Sequence, residues 1–253
     1  MRTHTTLVIN PKGGSGKTTV ATNLAAYLAA TGAATALMDY DPQGSSLNWL
    51  RQRPAHLPRI FGANGAPAKP GRLRSVDMRV PEETRELVID APAGASGLLL
   101  QEMLVRTHCI LIPVAPSAID IHASANFIRD LLLAGRIRTA HIRLGVIANR
   151  VRKTSPVYAP LERFLASLNF PLLGRLSDSE VFVTAAETGV GVCEMDFITA
   201  AAERQQFVPI AQWVQTRVAS TDAKTPAMAS FNPNASIPGR AALRVIGKVL
   251  PAA

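Results

Sequence analysis

Short runs of Val, Ile and Leu recur along the chain, separated by longer stretches in which apolar residues return every three or four positions. The runs are Leu7-Val8-Ile9, Ala36-Leu37-Met38, Leu87-Val88-Ile89, Ile110-Leu111-Ile112 and Leu144-Gly145-Val146-Ile147, with a weaker one at Phe170 to Leu173. Runs this short, apolar at successive positions, predict strands buried on both faces, the pattern of a parallel sheet. The longer stretches predict helices near 17–31, 95–106, 119–135, 156–169, 180–188 and 197–217. Their alternation implies right-handed crossovers and an α/β fold, a doubly wound, mostly parallel sheet with helices on both faces. Residues 51–80 fit this rhythm poorly. They carry Pro54, Pro58, Pro67 and Pro70 with glycines between, and the expectation there is an irregular excursion. From Val218 onward Ser, Thr, Ala, Asn and Pro dominate. The chain is therefore expected to divide into a domain over 1–217 and a flexible tail over 218–253 that ends in a short basic helix.

Composition narrows the class. A length of 253 residues suits one large α/β domain, and 47% apolar residues can build a sizeable core. The cysteines, Cys109 and Cys193, form neither a disulfide framework nor a metal-ligand spacing, and a reducing compartment is the simple reading. The first ten residues, MRTHTTLVIN, leave no room for the charged, apolar and cleavage regions of a signal peptide. No apolar stretch approaches the roughly 20 residues needed to span a bilayer, so a cytoplasmic protein is expected. The net charge of +9 favours an anionic surface as partner, DNA or lipid headgroups alike, although a merely soluble basic protein would look the same.

The chemistry begins where the first strand ends. Between Asn10 and a helix starting at Lys17 or Thr18 lies Pro11-Lys12-Gly13-Gly14-Ser15-Gly16. Gly13, Gly14 and Gly16 allow the backbone to curl around an oxyanion with its N–H groups inward, and the helix N-terminus adds partial positive charge. Lys17 is placed to neutralise the β- and γ-phosphates of ATP, and the Thr18 hydroxyl, with Thr19 beside it, opens the helix as a Mg²⁺ ligand. The strict P-loop pattern begins with glycine; here Pro11 takes that position and a second lysine, Lys12, follows it.

This variant loop, KGGSGKT, resembles that of the ParA/MinD family of P-loop ATPases. Two further segments extend the resemblance: Asp39-Tyr40-Asp41-Pro42-Gln43-Gly44, and the apolar strand ending in Asp90-Ala91-Pro92-Ala93-Gly94. The resemblance runs from residue 5 to about 200 and leaves out 51–80. It implies that Lys12 reaches across a dimer interface to the partner's nucleotide and that Asp41 orients the attacking water. It implies also that Asp90 holds Mg²⁺ through water and that Gly94 senses the γ-phosphate. Asp39 is an auxiliary or a structural carboxylate. Asn149 takes the place of a residue that contacts the adenine edge, with 176–178 packing on the purine. Ser117 and Asp120 match the exit of the fourth family strand, or simply cap the following helix. The cofactor set is ATP with Mg²⁺, gripped by Gly13, Gly14, Ser15, Gly16, Lys17, Thr18, Thr19 and Asn149.

Family membership would make ATP a timer: binding closes a homodimer, the dimer adheres to an anionic surface, and an adaptor or activator protein triggers hydrolysis. Arg129, Arg136, Arg138, Arg143, Arg150, Arg152 and Lys153, with Arg51, Arg53, Arg59, Lys69, Arg72, Arg74 and Arg79, form a phosphate footprint if they converge. Non-specific DNA of the nucleoid is then the surface, and a plasmid, a chromosome locus or a protein body such as a carboxysome the cargo. The alternative is a MinD-like regulator on an anionic membrane. On a helix through the tail, Arg240, Arg244 and Lys248 share one arc and Leu243, Val245, Ile246, Val249 and Leu250 fill the other side. That segment suits its own domain, a partner, DNA or a membrane. A cluster-carrying ATPase like nitrogenase iron protein needs paired bridging cysteines, which Cys109 and Cys193 do not supply.

Overall fold

The computed structural model of the chain describes residues 3–67, 74–133, 142–152, 154–168 and 170–216. They run β1 (His4–Val8), α1 (Lys17–Ala30), β2 (Thr35–Asp39), α2 (Ser45–Gln52), β3 (Ile60–Asn64) and α3 (Arg74–Asp77). Then come β4 (Glu86–Asp90), α4 (Gly97–Val105), β5 (Cys109–Val114), α5 (Ala118–Leu133), β6 (Arg143–Val151), α6 (Tyr158–Ser167), β7 (Leu172–Ser177), α7 (Glu180–Thr188) and α8 (Ala201–Gln215). The seven strands form one sheet in the order β3-β2-β4-β1-β5-β6-β7, and each pair is parallel.

Both faces of this sheet are buried, and the strand sequences show why. Within each central strand, alternate residues supply opposite cores. Leu7, Leu87, Ile89, Ile110 and Ile112 join the cluster beneath α4, α5 and α6, while Val8, Leu37, Val88, Leu111 and Ile147 join the cluster beneath α1, α2, α7 and α8. With two apolar partners per strand, no polar position interrupts the run, which is the predicted doubly wound sheet. From β1 the chain moves to one side of the sheet for β2, β3 and β4, and to the other for β5, β6 and β7. The crevice at the carboxyl end of β1 is the topological switch point, where open α/β sheets take their ligands.

Three expectations need correction. Residues 51–80 are not wholly irregular: they hold the end of α2, the edge strand β3 and the short α3. In β3 only Ile60 and Ala63 are buried, so the strand lacks the continuous apolar run that marks its neighbours. Helix α2 went unpredicted because its polar surface leaves only Ser46 and Trp49 buried. The last strand begins at Leu172, so Phe170 lies before it and packs on the core from outside. The tail expected over 218–253 falls outside the described residues, as do Lys69, Arg72, Arg136, Arg138 and Lys153.

Two arginines of the expected footprint are spent inside the fold. Arg53 forms a buried two-pronged pair with Glu194, donates to the Gly189 carbonyl at 3.2 Å and stacks on Trp49. Arg143 opens β6 at the end of the sheet away from the loop that follows β1. Its guanidinium lies 4.2 Å over Trp213 and donates to the Trp213 carbonyl at 2.8 Å and to Cys109 Sγ at 3.1 Å. At the same end His4 meets Glu86 at 3.2 Å. Burial pulls its imidazole down, yet bonds to Cys109 and Glu86 together outweigh that and leave it at about 9. Neither cysteine is in a disulfide, and burial lifts the Cys193 thiol to about 12.

Candidate nucleotide site

The segment 11–16 turns between β1 and α1 on two local devices. Asn10, fully buried, accepts the Lys12 N–H at 2.9 Å and donates to the Pro113 carbonyl at 2.8 Å and to Ser124 Oγ at 2.9 Å. The head of the loop is thereby spliced to β5 and α5. At the other end Gly16 takes a φ of +92°, and a Cβ there would stand 1.8 Å from Asn149 Nδ2. Glycine is the one residue that satisfies both demands. Gly13 and Gly14 lie at the open mouth, with nothing within 4 Å of a Cβ built on either. Helix α1 starts with no side-chain cap and no acidic residue in its first turn, so its N-terminal N–H groups face the loop uncompensated.

Lys17 is 7% exposed and donates Nζ to the Lys12 carbonyl at 2.8 Å. Burial lowers its pKa, against the pull of the Asp90 and Asp41 carboxylates nearby. Thr18 Oγ1 donates to Asp90 Oδ2 at 2.8 Å. Asp90 is 1% exposed and its Oδ1 is a buried atom without a hydrogen bond. Burial first, then repulsion from Asp39 and Asp41, pushes its carboxyl up to about 7 against the help of Thr18 and Lys17. A buried carboxylate with an idle oxygen beside a threonine hydroxyl is costly unless a cation joins it. These residues fit Mg²⁺: Thr18 would be a direct ligand and Asp90 would hold the ion's shell. When bound, the ion would neutralise phosphate charge.

Asp41 follows β2 at the edge of the same crevice, its Oδ1 accepting the Gln43 N–H at 2.9 Å. Asp39 has a structural part here. One of its oxygens accepts the Asp41 N–H at 2.9 Å and the other accepts Ser46 and Leu47 N–H at 2.9 and 3.2 Å, which caps α2. Lys12 gives its backbone to Asn10, Ser15 and Lys17, while its half-buried side chain makes no ion pair among the described residues. Thr19 lines a shallow cleft with Thr18, Thr22, Ser45, Asn48 and Trp49.

Several further candidate residues have defined partners around the loop. Asn149 Nδ2 donates to the Ser15 carbonyl at 2.8 Å, and with 4% exposure the side chain buttresses the loop from below. A bulge brings it there: the β6–β7 register shifts between Ala148 and Val151, and Arg150 takes a φ of +54°. Leu176 is fully buried and Ser177 is tied to Gln206, so of 176–178 only Asp178 keeps an open side, and it pairs with Arg152. Gly94 gives its N–H to the Pro11 carbonyl at 2.9 Å, clasping the turn after β4 onto the loop. Ser117 and Asp120 bond each other at the start of α5, the capping role. Sequence reasoning missed Asn10, whose only signal was a buried amide where an apolar strand ends.

The family defined by the CobQ/CobB/MinD/ParA nucleotide binding domain matches residues 6–251, and the chain belongs to it. The class is a nucleotide-binding P-loop domain of the ParA/MinD kind, a family generally made of ATPases. The maintenance of carboxysome distribution protein A of Halothiobacillus neapolitanus is 25% identical over 76% of this chain and 87% of its own length. The chromosome-partitioning ATPase Soj of Thermus thermophilus is 57% identical over 48% of this chain and 59% of its own. In fold the chain is similar to the septum site-determining protein MinD with Mg-ADP from Pyrococcus horikoshii OT3. That likeness has a TM-score of 0.64 and 17% identity, and covers 85% of this chain and 97% of that one.

Proposed function

We propose that this chain is a positioning ATPase of the nucleoid: it closes a homodimer around ATP, holds DNA without regard to sequence, and releases it after hydrolysis stimulated by an adaptor. The observation that carries the reading is the Thr18–Asp90 pair beside Lys17, a cation-and-phosphate cradle at the switch point of the sheet. Lys17 turns from the Lys12 carbonyl to the phosphates, Thr18 and Asp90 orient the metal site, and Asp41 holds a water against the γ-phosphate. Lys12, whose side chain has no ionic partner within its own chain among the described residues, supplies charge across the dimer. The carboxysome-distribution relative, matched over most of both chains, supports a protein body as cargo. A cytoplasmic, nucleoid-bound location follows from that reading and from the charge of +9.

The test is DNA binding at several salt concentrations with ATP and with ADP. If about four to six phosphates are neutralised, log K against log salt has a slope near −4 to −5 with ATP. Equal binding in the two nucleotides, or a flat salt response, contradicts the nucleoid reading.

A further inference from the structure

Tyr40 lies between the two aspartates that close β2, yet its side chain belongs to the opposite side of the sheet. It is fully buried in the cluster beneath α4, among Ala91, Ala95 and Met103. Its backbone N–H donates to the Asp90 carbonyl at 3.0 Å, and its hydroxyl donates to Glu102 Oε1 on α4 at 3.0 Å. The ring leaves no slack. A Cβ on Gly65 would lie 2.6 Å from it, and Gly65 N–H donates to the Asp39 carbonyl at 2.7 Å. Asp39 holds the following segment from the α2 side through three N–H groups. From the α4 side the Tyr40–Glu102 bond is a polar tie. Helix α4 in turn follows the turn that Gly94 clasps onto Pro11.

We propose that Tyr40 is a positioning residue for Asp41: bonded to Glu102, it fixes where the next residue's carboxylate stands relative to Lys17 and the Thr18–Asp90 pair. The inference rests on the ATPase reading and names a determinant of its rate. Losing one hydrogen bond of ordinary strength, with its effect confined to where Asp41 stands, should slow hydrolysis about threefold to tenfold and leave nucleotide binding alone.

The experiment compares wild type, Tyr40→Phe, Glu102→Ala, Glu102→Gln and Tyr40→Phe/Glu102→Ala in ATP turnover and KM, in binding of a fluorescent ATP analogue, and in amide exchange over 41–47. Thermal melts identify any variant that fails to fold, and the half-buried position of Glu102 makes its variants the mild arm. Expected are a lower kcat at unchanged nucleotide affinity for Tyr40→Phe and Glu102→Ala, and no further loss in the double variant. Exchange over 41–47 should be faster in both. Glu102→Gln, whose amide oxygen accepts the same O–H, should restore rate and protection. A Tyr40→Phe variant with wild-type kcat, a loss that appears in affinity instead, or no rescue by Glu102→Gln overturns the inference while the ATPase reading stands. A wild type that hydrolyses no ATP removes both.

Discussion

Replacing Asp90 by Asn isolates the cost of keeping an ionised carboxylate in the crevice before a cation arrives. In the unfolded chain the carboxyl titrates near its ordinary 3.8, whereas in the fold it titrates at about 7. Its folded pKa is raised, so the folded state binds the extra proton between those limits. The associated stability is fully present below about pH 4 and is lost as pH rises through 7. At about 1.4 kcal/mol for each pH unit of difference, the wild type should lose roughly 4 kcal/mol across that range on this account alone. Asp90→Asn titrates nothing there. Its amide adds a fixed penalty for unpaired N–H groups, and a fixed penalty moves the curve without tilting it. The assay is urea unfolding without nucleotide or Mg²⁺ at pH values from 5 to 8. The wild-type curve should fall relative to the variant's by about 2 to 4 kcal/mol, His4 contributing equally to both. With Mg²⁺ and ATP the order reverses, since only the carboxylate gains a cation. Parallel curves from pH 5 to 8 would show that Asp90 is not strained by burial, and the fit to a cation would lose its basis.

Lys12→Ala should bind nucleotide like wild type yet fail to dimerise with a non-hydrolysable ATP analogue; sedimentation velocity measures this, and an unchanged dimer fraction returns Lys12 to an ordinary loop lysine. Arg150→Ala should weaken DNA binding on all sequences more than Arg152→Ala, because Arg152 already answers Asp178 while Arg150 has no ion pair among the described residues. Salt-dependent binding of the two variants decides it, and equal losses would refute the distinction. Truncation after Ser236 should leave ATP-dependent DNA binding intact. Capture of the full chain alone by anionic vesicles, and only with ATP, would instead favour the membrane reading.

The architecture was legible wherever two apolar cores press on one strand. The runs Leu7-Val8-Ile9, Leu87-Val88-Ile89 and Ile110-Leu111-Ile112 hold no polar position, and a parallel sheet follows from that pattern. The edge was not legible. Ile60 to Asn64 buries only Ile60 and Ala63, one in each core, and its neighbouring prolines looked like loop chemistry when they only bracket a short edge strand. In the site, the glycine spacing and the order of acidic segments pointed to the loop, Asp41 and Asp90, which the fold brings to one crevice. What spacing cannot convey is which polar groups the fold consumes for itself. Asn149 and Gly94 turn inward to backbone partners 134 and 83 residues away, and Asp39 to partners 2, 7 and 8 residues on. The same holds for Arg53 and Arg143, whose charges counted toward a surface footprint until Glu194 and Trp213 were seen to enclose them.

Phosphate release from ATP, followed with Mg²⁺ for wild type, Asp41→Ala and Lys17→Ala beside their nucleotide affinities, tests the central claim most directly. The account predicts slow turnover by wild type. Asp41→Ala should bind ATP normally and release no phosphate above background, since the cradle remains while the water is left unplaced. Lys17→Ala should lose binding and turnover together, because the γ-phosphate charge goes uncompensated. Wild-type turnover in Asp41→Ala, or undiminished ATP binding in Lys17→Ala, would contradict it.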